Sequence, residues 1–266
     1  MADFELKGNQ DNALLETLQS VFSTYKDLHF PDRGKTRSVL IPATGRKLRF
    51  IFWLQSSNAP VVYIVPGLGL HRLAQPSVAM AELVYKNGFP AVCVSSTFNS
   101  EFMEHASTAT LPVYLPVDGH DMHVALTEID GRLNTLYPNR LGRRALMGYS
   151  MGGLHFLFIA VTPPTHLAPL ITFDRTVAIN TPVRLLHGVS KLDEFYRAAL
   201  DWLSSERIDN IQNTFMKVAA LSKGALTLQT SLPFNTIEST FLIGFTFRLM
   251  LRDIISAASD GSIRES

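Results

Sequence analysis

The sequence predicts an α/β protein, a mostly parallel sheet with helices on both faces, followed by a helical cap. Three observations carry this. Pro60–Val65 is a continuous apolar run, the pattern of a strand buried on both faces of a parallel sheet. Strand-like and helix-like segments then alternate as far as Pro182, which implies crossover connections and parallel pairing. Beyond Pro182 the pattern turns helical.

Residues 1–36 are polar and mildly helical, with Leu14, Leu15, Leu18 and Phe22 at helix-like spacing. Arg37–Ile41 and Lys47–Leu54 alternate on either side of Thr44-Gly45-Arg46, which predicts a β-hairpin. After the apolar strand, Val78–Tyr85 reads as a helix stopped by Asn87-Gly88, and Pro90–Val94 as the next buried strand. A long loop leads to a helix over Asp121–Leu136, a strand over Arg144–Gly148 and a glycine-opened helix over Met151–Ala160. Arg175–Ile179 is a further strand, closed by Asn180-Thr181-Pro182. Leu185–Leu203, Ile208–Leu221 and Thr236–Ala258 read as helices, with a break at Pro233. The expected division is a helical extension over 1–36, a core over 37–182 and a cap or lid over 183–266.

The 266 residues suffice for one large domain or for a core plus a small cap. A net charge of +1 with 18% charged residues argues against a polyanion binder, so no nucleic-acid partner is expected. Arg140, Arg143 and Arg144 form the densest basic group, read as solvated residues before a strand, with an acidic partner as the alternative. Cys93 is the sole cysteine, which excludes an internal disulfide and a thiolate zinc site; no cofactor or metal is expected. The start Met1–Leu6 lacks the basic-then-apolar pattern of a signal peptide, which favours the cytoplasm. Phe241–Phe245 is apolar, but Arg248, Arg252 and Asp253 interrupt the run too early for a membrane span. A buried cap helix is the plain reading; a membrane-touching lid or a dimer face are the alternatives, and the oligomeric state stays open.

Gly148-Tyr149-Ser150-Met151-Gly152-Gly153 is the most informative stretch. The bare G-x-S-x-G match is weak, but its setting strengthens it. Ala145-Leu146-Met147 runs into it as a strand and Leu154–Ala160 leaves it as an apolar helix. A serine nucleophile on a strained strand-to-helix turn needs that context, with glycines that let the two elements pass closely. The helix N-terminus also points free N–H groups at a developing oxyanion. The alternative is a Gly/Ser-rich helix start with no catalysis. Pro66-Gly67-Leu68-Gly69-Leu70-His71 directly follows the buried strand. Acyl transfer needs two backbone donors, one after the nucleophile and one from the loop after an earlier strand. Met151 N–H suits the first role and Leu68 N–H the second; a plain glycine-containing turn is the alternative.

These two stretches resemble the α/β-hydrolase family, which includes esterases, lipases, peptidases, thioesterases and acyltransferases. The resemblance covers roughly residues 37–182. It implies a Ser–His–acid triad and an oxyanion hole, with Ser150 as nucleophile and the N–H groups of Met151 and Leu68 as donors. This sequence has Pro66-Gly67 where the family often has His-Gly. The family order is serine, acid, histidine, yet only His155, His166 and His187 follow Ser150. His155 shares the helix of Ser150, His166 sits in a Pro-rich loop, and His187 opens a helix. Asp193 and Glu194 follow His187 in the reverse order, and Asp174 precedes a strand. The acid and the histidine therefore stay unidentified. The expectation is that they lie beyond Ser266 with two further strands; the rival is a complete, non-catalytic scaffold.

Asp118-Gly119-His120-Asp121-Met122-His123 has metal-like spacing, but Asp118 or Asp121 as a helix N-cap is the ordinary explanation. The hydroxyls of Ser95–Ser100 either line a pocket mouth or are plain loop polarity. The expected function is a serine hydrolase acting on an ester or thioester, with a small-molecule acyl substrate as its partner. Phe234, Phe241, Ile243 and Phe245 favour an apolar acyl chain, unless their apolarity serves packing. The alternative is an interaction protein on the same scaffold.

Overall fold

Six strands form one sheet in the order β1-β2-β4-β3-β5-β6. The structure, a computed structural model, describes Leu14 and residues 25–109, 111–112, 114–161, 170–222 and 232–259. Strands β1 (Lys35–Ile41) and β2 (Arg46–Trp53) make the expected hairpin, with Gly45 at φ +69° in its turn. Strands β3 (Ala59–Val65), β4 (Ala91–Cys93), β5 (Leu141–Tyr149) and β6 (Arg175–Ile179) pair in parallel, and β2 joins them antiparallel to β4. The expected mostly parallel α/β sheet is what the chain builds.

Helices α1 (Gln75–Lys86), α2 (Ser100–His105), α3 (Leu115–Leu136) and α4 (Met151–Val161) connect these strands. Met122, Ala125, Leu126, Ile129 and Leu133 of α3 recur at helical spacing and pack, with Phe156 and Ile159 of α4, on Phe50, Phe52, Tyr63 and Leu146. On the second face, Val78, Ala81 and Val84 of α1 pack on Ile51, Trp53, Ile64 and Cys93. Both faces of the central strands are thus covered, which is why β3 is a continuous apolar run.

Several expectations need correction. Residues 95–114 are not all loop, because Ser100–His105 forms α2. Helix α3 starts at Leu115 with Tyr114 as N-cap, so neither Asp118 nor Asp121 caps it; Pro116 in its first turn permits the earlier start. Arg144 is not a solvated residue before a strand. It lies within β5 and donates from Nε to Asp130 Oδ1 at 3.1 Å, while Tyr63 Oη donates to the same oxygen at 2.6 Å. Arg140 donates to the Gln55 carbonyl. Leu15, Leu18 and Phe22 lie outside the described residues.

The chain divides into two compact units, one of Tyr25–Val183 with Met250–Ser266 and one of Met1–Thr24 with Arg184–Leu249. The second holds α5 (Leu185–Arg197), a 3₁₀ turn at Ala198–Asp201, α6 (Arg207–Ser222) and the first part of α7 (Thr236–Ser259). Asn235 and Glu238 form a capping box at the start of α7: Glu238 N–H donates to Asn235 Oδ1, and Asn235 N–H to Glu238 Oε2, both at 2.9 Å. Phe241 is buried among Tyr196, Trp202, Phe215 and Phe245. Phe234 packs with Leu242, Phe215 and Ile243. These aromatic and aliphatic residues are the core of the helical unit, so packing accounts for their apolarity. Among the described residues, no helix is long and apolar enough to cross a membrane.

Candidate active site

The sheet has a switch point between β3 and β5. From β3 the chain crosses to β4 on one side; from β5 it crosses to β6 on the other. The loops leaving β3 and β5 therefore diverge at the carboxyl edge, where ligands bind in open α/β sheets. Those loops are Pro66–Leu70 and the corner at Ser150.

Ser150 joins β5 directly to α4 with φ +52°, a left-handed conformation that costs a non-glycine residue about 1 kcal/mol or more. Its N–H donates to the Ile179 carbonyl at the end of β6, at 2.8 Å. The glycines explain how so sharp a corner closes. A Cβ on Gly148 would sit 2.6 Å from the backbone of Gly153; one on Gly152 would overlap the Val65 and Pro66 carbonyl oxygens. On Gly153 it would overlap Thr181 Oγ1. Strand β3, the corner and the end of β6 thus approach through positions that admit no side chain. Met151 opens α4, so its N–H is one of the free donors of a helix N-terminus.

The loop after β3 makes a tight turn. Leu70 N–H donates to the Gly67 carbonyl at 3.2 Å, and Gly69 has φ +67°, as the third residue of a type II turn requires. The Gly67 backbone lies against Ser150: a Cβ there would be 3.3 Å from Ser150 Cβ. Leu68 follows immediately. The structure thus brings the backbone before Leu68, the Ser150 side chain and the start of α4 together.

The segment after β4 braces this turn. Ser96 N–H donates to the Leu70 carbonyl at 2.9 Å and Asn99 Nδ2 to the Gly69 carbonyl at 2.9 Å. Arg72 N–H donates to Ser95 Oγ at 3.0 Å, and Ser95 Oγ donates to Glu101 Oε2 at 2.6 Å. Arg72 forms an ion pair with Glu101, both side chains largely buried. The hydroxyls of Ser95, Ser96 and Thr97 are therefore braces within the protein, whereas Ser100 lines a cavity beside Gly69. Replacing one member of a buried ion pair strands the other charge. Glu101→Gln should cost about 3 kcal/mol, read as a lower denaturation midpoint at unchanged m-value; a midpoint shift below a third of that would overturn the account.

Among the described residues, no hydrogen bond joins Ser150 Oγ to a histidine. His71 accepts from Leu73 N–H at Nδ1 (3.2 Å), while its Nε2 faces Arg72 and, at 3.3 Å, Glu101 Oε2. Burial, then the Arg72 charge, hold its pKa below the usual value. His105 Nδ1 meets the Glu101 carbonyl, and His123 Nε2 donates to the Ile171 carbonyl at 2.7 Å. His155 is buried with Nε2 3.1 Å from Thr97 Oγ1, and burial pushes its pKa down to about 4. His187 is exposed on α5, and His166 lies outside the described residues. Asp193 pairs with Arg248, Glu194 with Lys191, and Asp174 accepts from Arg144 N–H.

Asp118 is fully buried in the first turn of α3, and burial, then the Asp121 charge, push its pKa up to about 7. Asp121 accepts from Thr108 N–H at 2.7 Å. Among the described residues no group of three or more His, Cys, Asp or Glu could hold a metal ion. The titrations have opposite signs. Asp118 keeps its proton to about pH 7 when folded but loses it near 3.8 when unfolded, so it lowers stability as pH rises between those values. The unfolded His155 ring protonates near 6.5 and the folded one only near 4, so it raises stability over that interval. Asp118→Asn removes the first slope alone. Denaturant titrations of this variant should show stability climbing more steeply with pH between about 4 and 6.5 than in the parent; identical slopes would contradict the assignment.

A parallel sheet with a serine corner at its carboxyl edge and a glycine turn beside it is the α/β-hydrolase arrangement. The fold class is α/β, and its mostly parallel sheet resembles that of the α/β-hydrolases. No family model and no curated protein matches the sequence. Similar solved structures include an esterase of Pyrococcus furiosus, 15% identical, matched over 65% of this chain and 61% of that one, with TM-score 0.47. A lipase/esterase of Lactobacillus plantarum is 14% identical over 58% of this chain and 63% of its own, with TM-score 0.44. A carboxylesterase from the same species is 14% identical over 58% of each chain, with TM-score 0.43. The chain spans less than two thirds of the length of these proteins.

Asn99, Glu101 and Thr181 had no place in the sequence reading of the site. Asn99-Ser100-Glu101 does carry a signal, since Asn followed by an acidic residue is a common helix start. The partners Gly69 and Arg72 lie about thirty residues earlier, which no local pattern reports.

Proposed function

We propose that this chain is a serine hydrolase that cleaves an ester or thioester through an acyl-enzyme on Ser150. The observation that carries the reading is the left-handed Ser150, held on a glycine-lined corner against Gly67 at the switch point of the sheet. In this reading Ser150 Oγ attacks the acyl carbon and the carbonyl π electrons move to oxygen. The N–H groups of Met151 and Leu68 donate to the resulting oxyanion. Collapse expels the alcohol or thiol, which leaves with the proton given up by the Ser150 hydroxyl. Water then adds to the acyl carbon, and collapse of that adduct releases the acid and returns a proton to Ser150 Oγ.

A half-open cavity of about 160 Å³ beside Gly69 is lined by Phe98, Met103, Met250 and Ile254 together with the polar Asn99, Ser100 and Asp253, a mixed lining that fits a small acyl group. At roughly 30 Å³ per water it has room for about five waters, which suits a short chain of a few carbons. The partner is a small-molecule acyl substrate.

The test is covalent labelling with a fluorophosphonate, in the parent and in Ser150→Ala, with the modified peptide identified by mass. The reading expects a phosphonylated Ser150 and none in the variant; labelling that survives Ser150→Ala would overturn it. With at least one ring nitrogen of each of His71, His105, His123 and His155 engaged elsewhere, labelling is expected to be slow, over hours. Oxyanion donors and binding alone leave about 10³–10⁴-fold over water. Those engaged histidines also favour a second reading, a non-catalytic scaffold. That reading expects no labelling and no turnover of p-nitrophenyl acetate or butyrate.

A further inference from the structure

We propose that Asn99 is the positioning residue of the Gly67–Leu70 turn, holding it in the shape that presents Leu68 N–H beside Ser150. This rests on the serine-hydrolase reading for its purpose but not for its geometry. Asn99 is two-handed. Its Oδ1 accepts from Glu101 N–H at 3.1 Å as the N-cap of α2, and its Nδ2 donates to the Gly69 carbonyl at 2.9 Å. An N–H on one side and a carbonyl on the other leave only one orientation for the amide.

The contact falls where the turn is least determined by its own residues. The peptide after Gly69 could rotate, since glycine tolerates most conformations. Asn99 pins its oxygen, while the N–H of the same peptide reaches back to Gly67 at 3.2 Å. With both ends engaged, Gly69 stays at φ +67° and the turn stays closed. The Gly67–Leu68 peptide keeps its carbonyl on Leu70 N–H. Because carbonyl and amide point oppositely in a trans peptide, this same bond sets the direction of Leu68 N–H. Neighbouring braces hold the flanks: Ser96 N–H on the Leu70 carbonyl, Ser95 Oγ on Arg72 N–H, and Glu101 on Arg72. Among the described residues, Asn99 is the side chain that hydrogen-bonds the backbone of the turn itself.

Asn99→Asp separates the two hands. Aspartate caps a helix as well as asparagine does, so α2 keeps its acceptor. It cannot donate to the Gly69 carbonyl, and its charge repels that oxygen. The first measurement is backbone hydrogen exchange by mass spectrometry, which does not depend on reactivity. The variant should exchange at least tenfold faster at Leu70, Arg72 and Ser96, with α2 protection and the melting temperature close to the parent. The second is the rate of fluorophosphonate labelling at Ser150, expected to fall about tenfold to hundredfold. For p-nitrophenyl acetate, kcat should fall with little change in KM. Unchanged exchange overturns the proposal whether or not Ser150 reacts. Faster exchange with an unchanged labelling rate overturns it too, leaving Asn99 a packing contact. A parent protein that never labels sinks the Ser150 reading and the purpose given to Asn99, while the exchange result still decides the clamp.

Discussion

Ser150→Gly is expected to raise the melting temperature while abolishing covalent labelling. Ser150 occupies φ +52°, where a side chain clashes with its own backbone and glycine does not. The strain relieved is about 1–3 kcal/mol, less about 0.5–1 kcal/mol for the greater freedom of glycine in the unfolded chain. A net gain of about 1 kcal/mol corresponds to roughly 2–4 °C at this size. Ser150→Ala keeps the Cβ and the strain, so it should lose labelling without the gain in stability. This pair separates the hydroxyl from the backbone. A strained corner of this kind is a local cost that the rest of the fold sustains. If the glycine variant melts no higher than the alanine variant, Ser150 carries no stored strain.

The larger stability effect is expected at Gly152. A methyl there overlaps the carbonyl oxygens of Val65 and Pro66, which are backbone atoms at the end of a central strand. Neither can swing aside as a flexible side chain would. Overpacking in a core costs about 1–3 kcal/mol, sometimes more, and Gly152→Ala should fall at or above the top of that range. The melting temperature should drop by about 6–12 °C, and labelling of Ser150 should fall because the corner and the Gly67 turn are driven apart. Gly131→Ala is the control: no atom lies within 4 Å of a Cβ at that position on α3, and alanine is the better helix former. Comparable losses at both positions would show that close approach at the corner is not the cause.

Much of this architecture was legible along the chain. The apolar run at Pro60–Val65, the hairpin around Gly45 and the strand–serine–helix order at Ala145–Ala160 each rest on neighbours in sequence. Each corresponds to an observed element. The short helix α2 escaped because six residues offer too little periodicity. The aromatic residues near Phe241 left two readings open, substrate contact or packing, and packing against Tyr196, Trp202 and Phe215 accounts for them.

The sequence by itself determined the fold class and marked Ser150, Met151 and the Pro66–Leu70 stretch as the places to look. Periodicity, glycine spacing and strand–helix order are local quantities, and a chain carries them before it folds. Only the tertiary structure decided that Gly67 lies against Ser150, that Asn99 holds Gly69, and that Glu101 neutralises Arg72. It also decided that His71 Nε2 faces Glu101 and that His155 Nε2 meets Thr97. Those contacts join residues some 30 to 80 positions apart. Strand order and burial, which no short stretch of sequence encodes, select which distant groups meet at the carboxyl edge of the sheet.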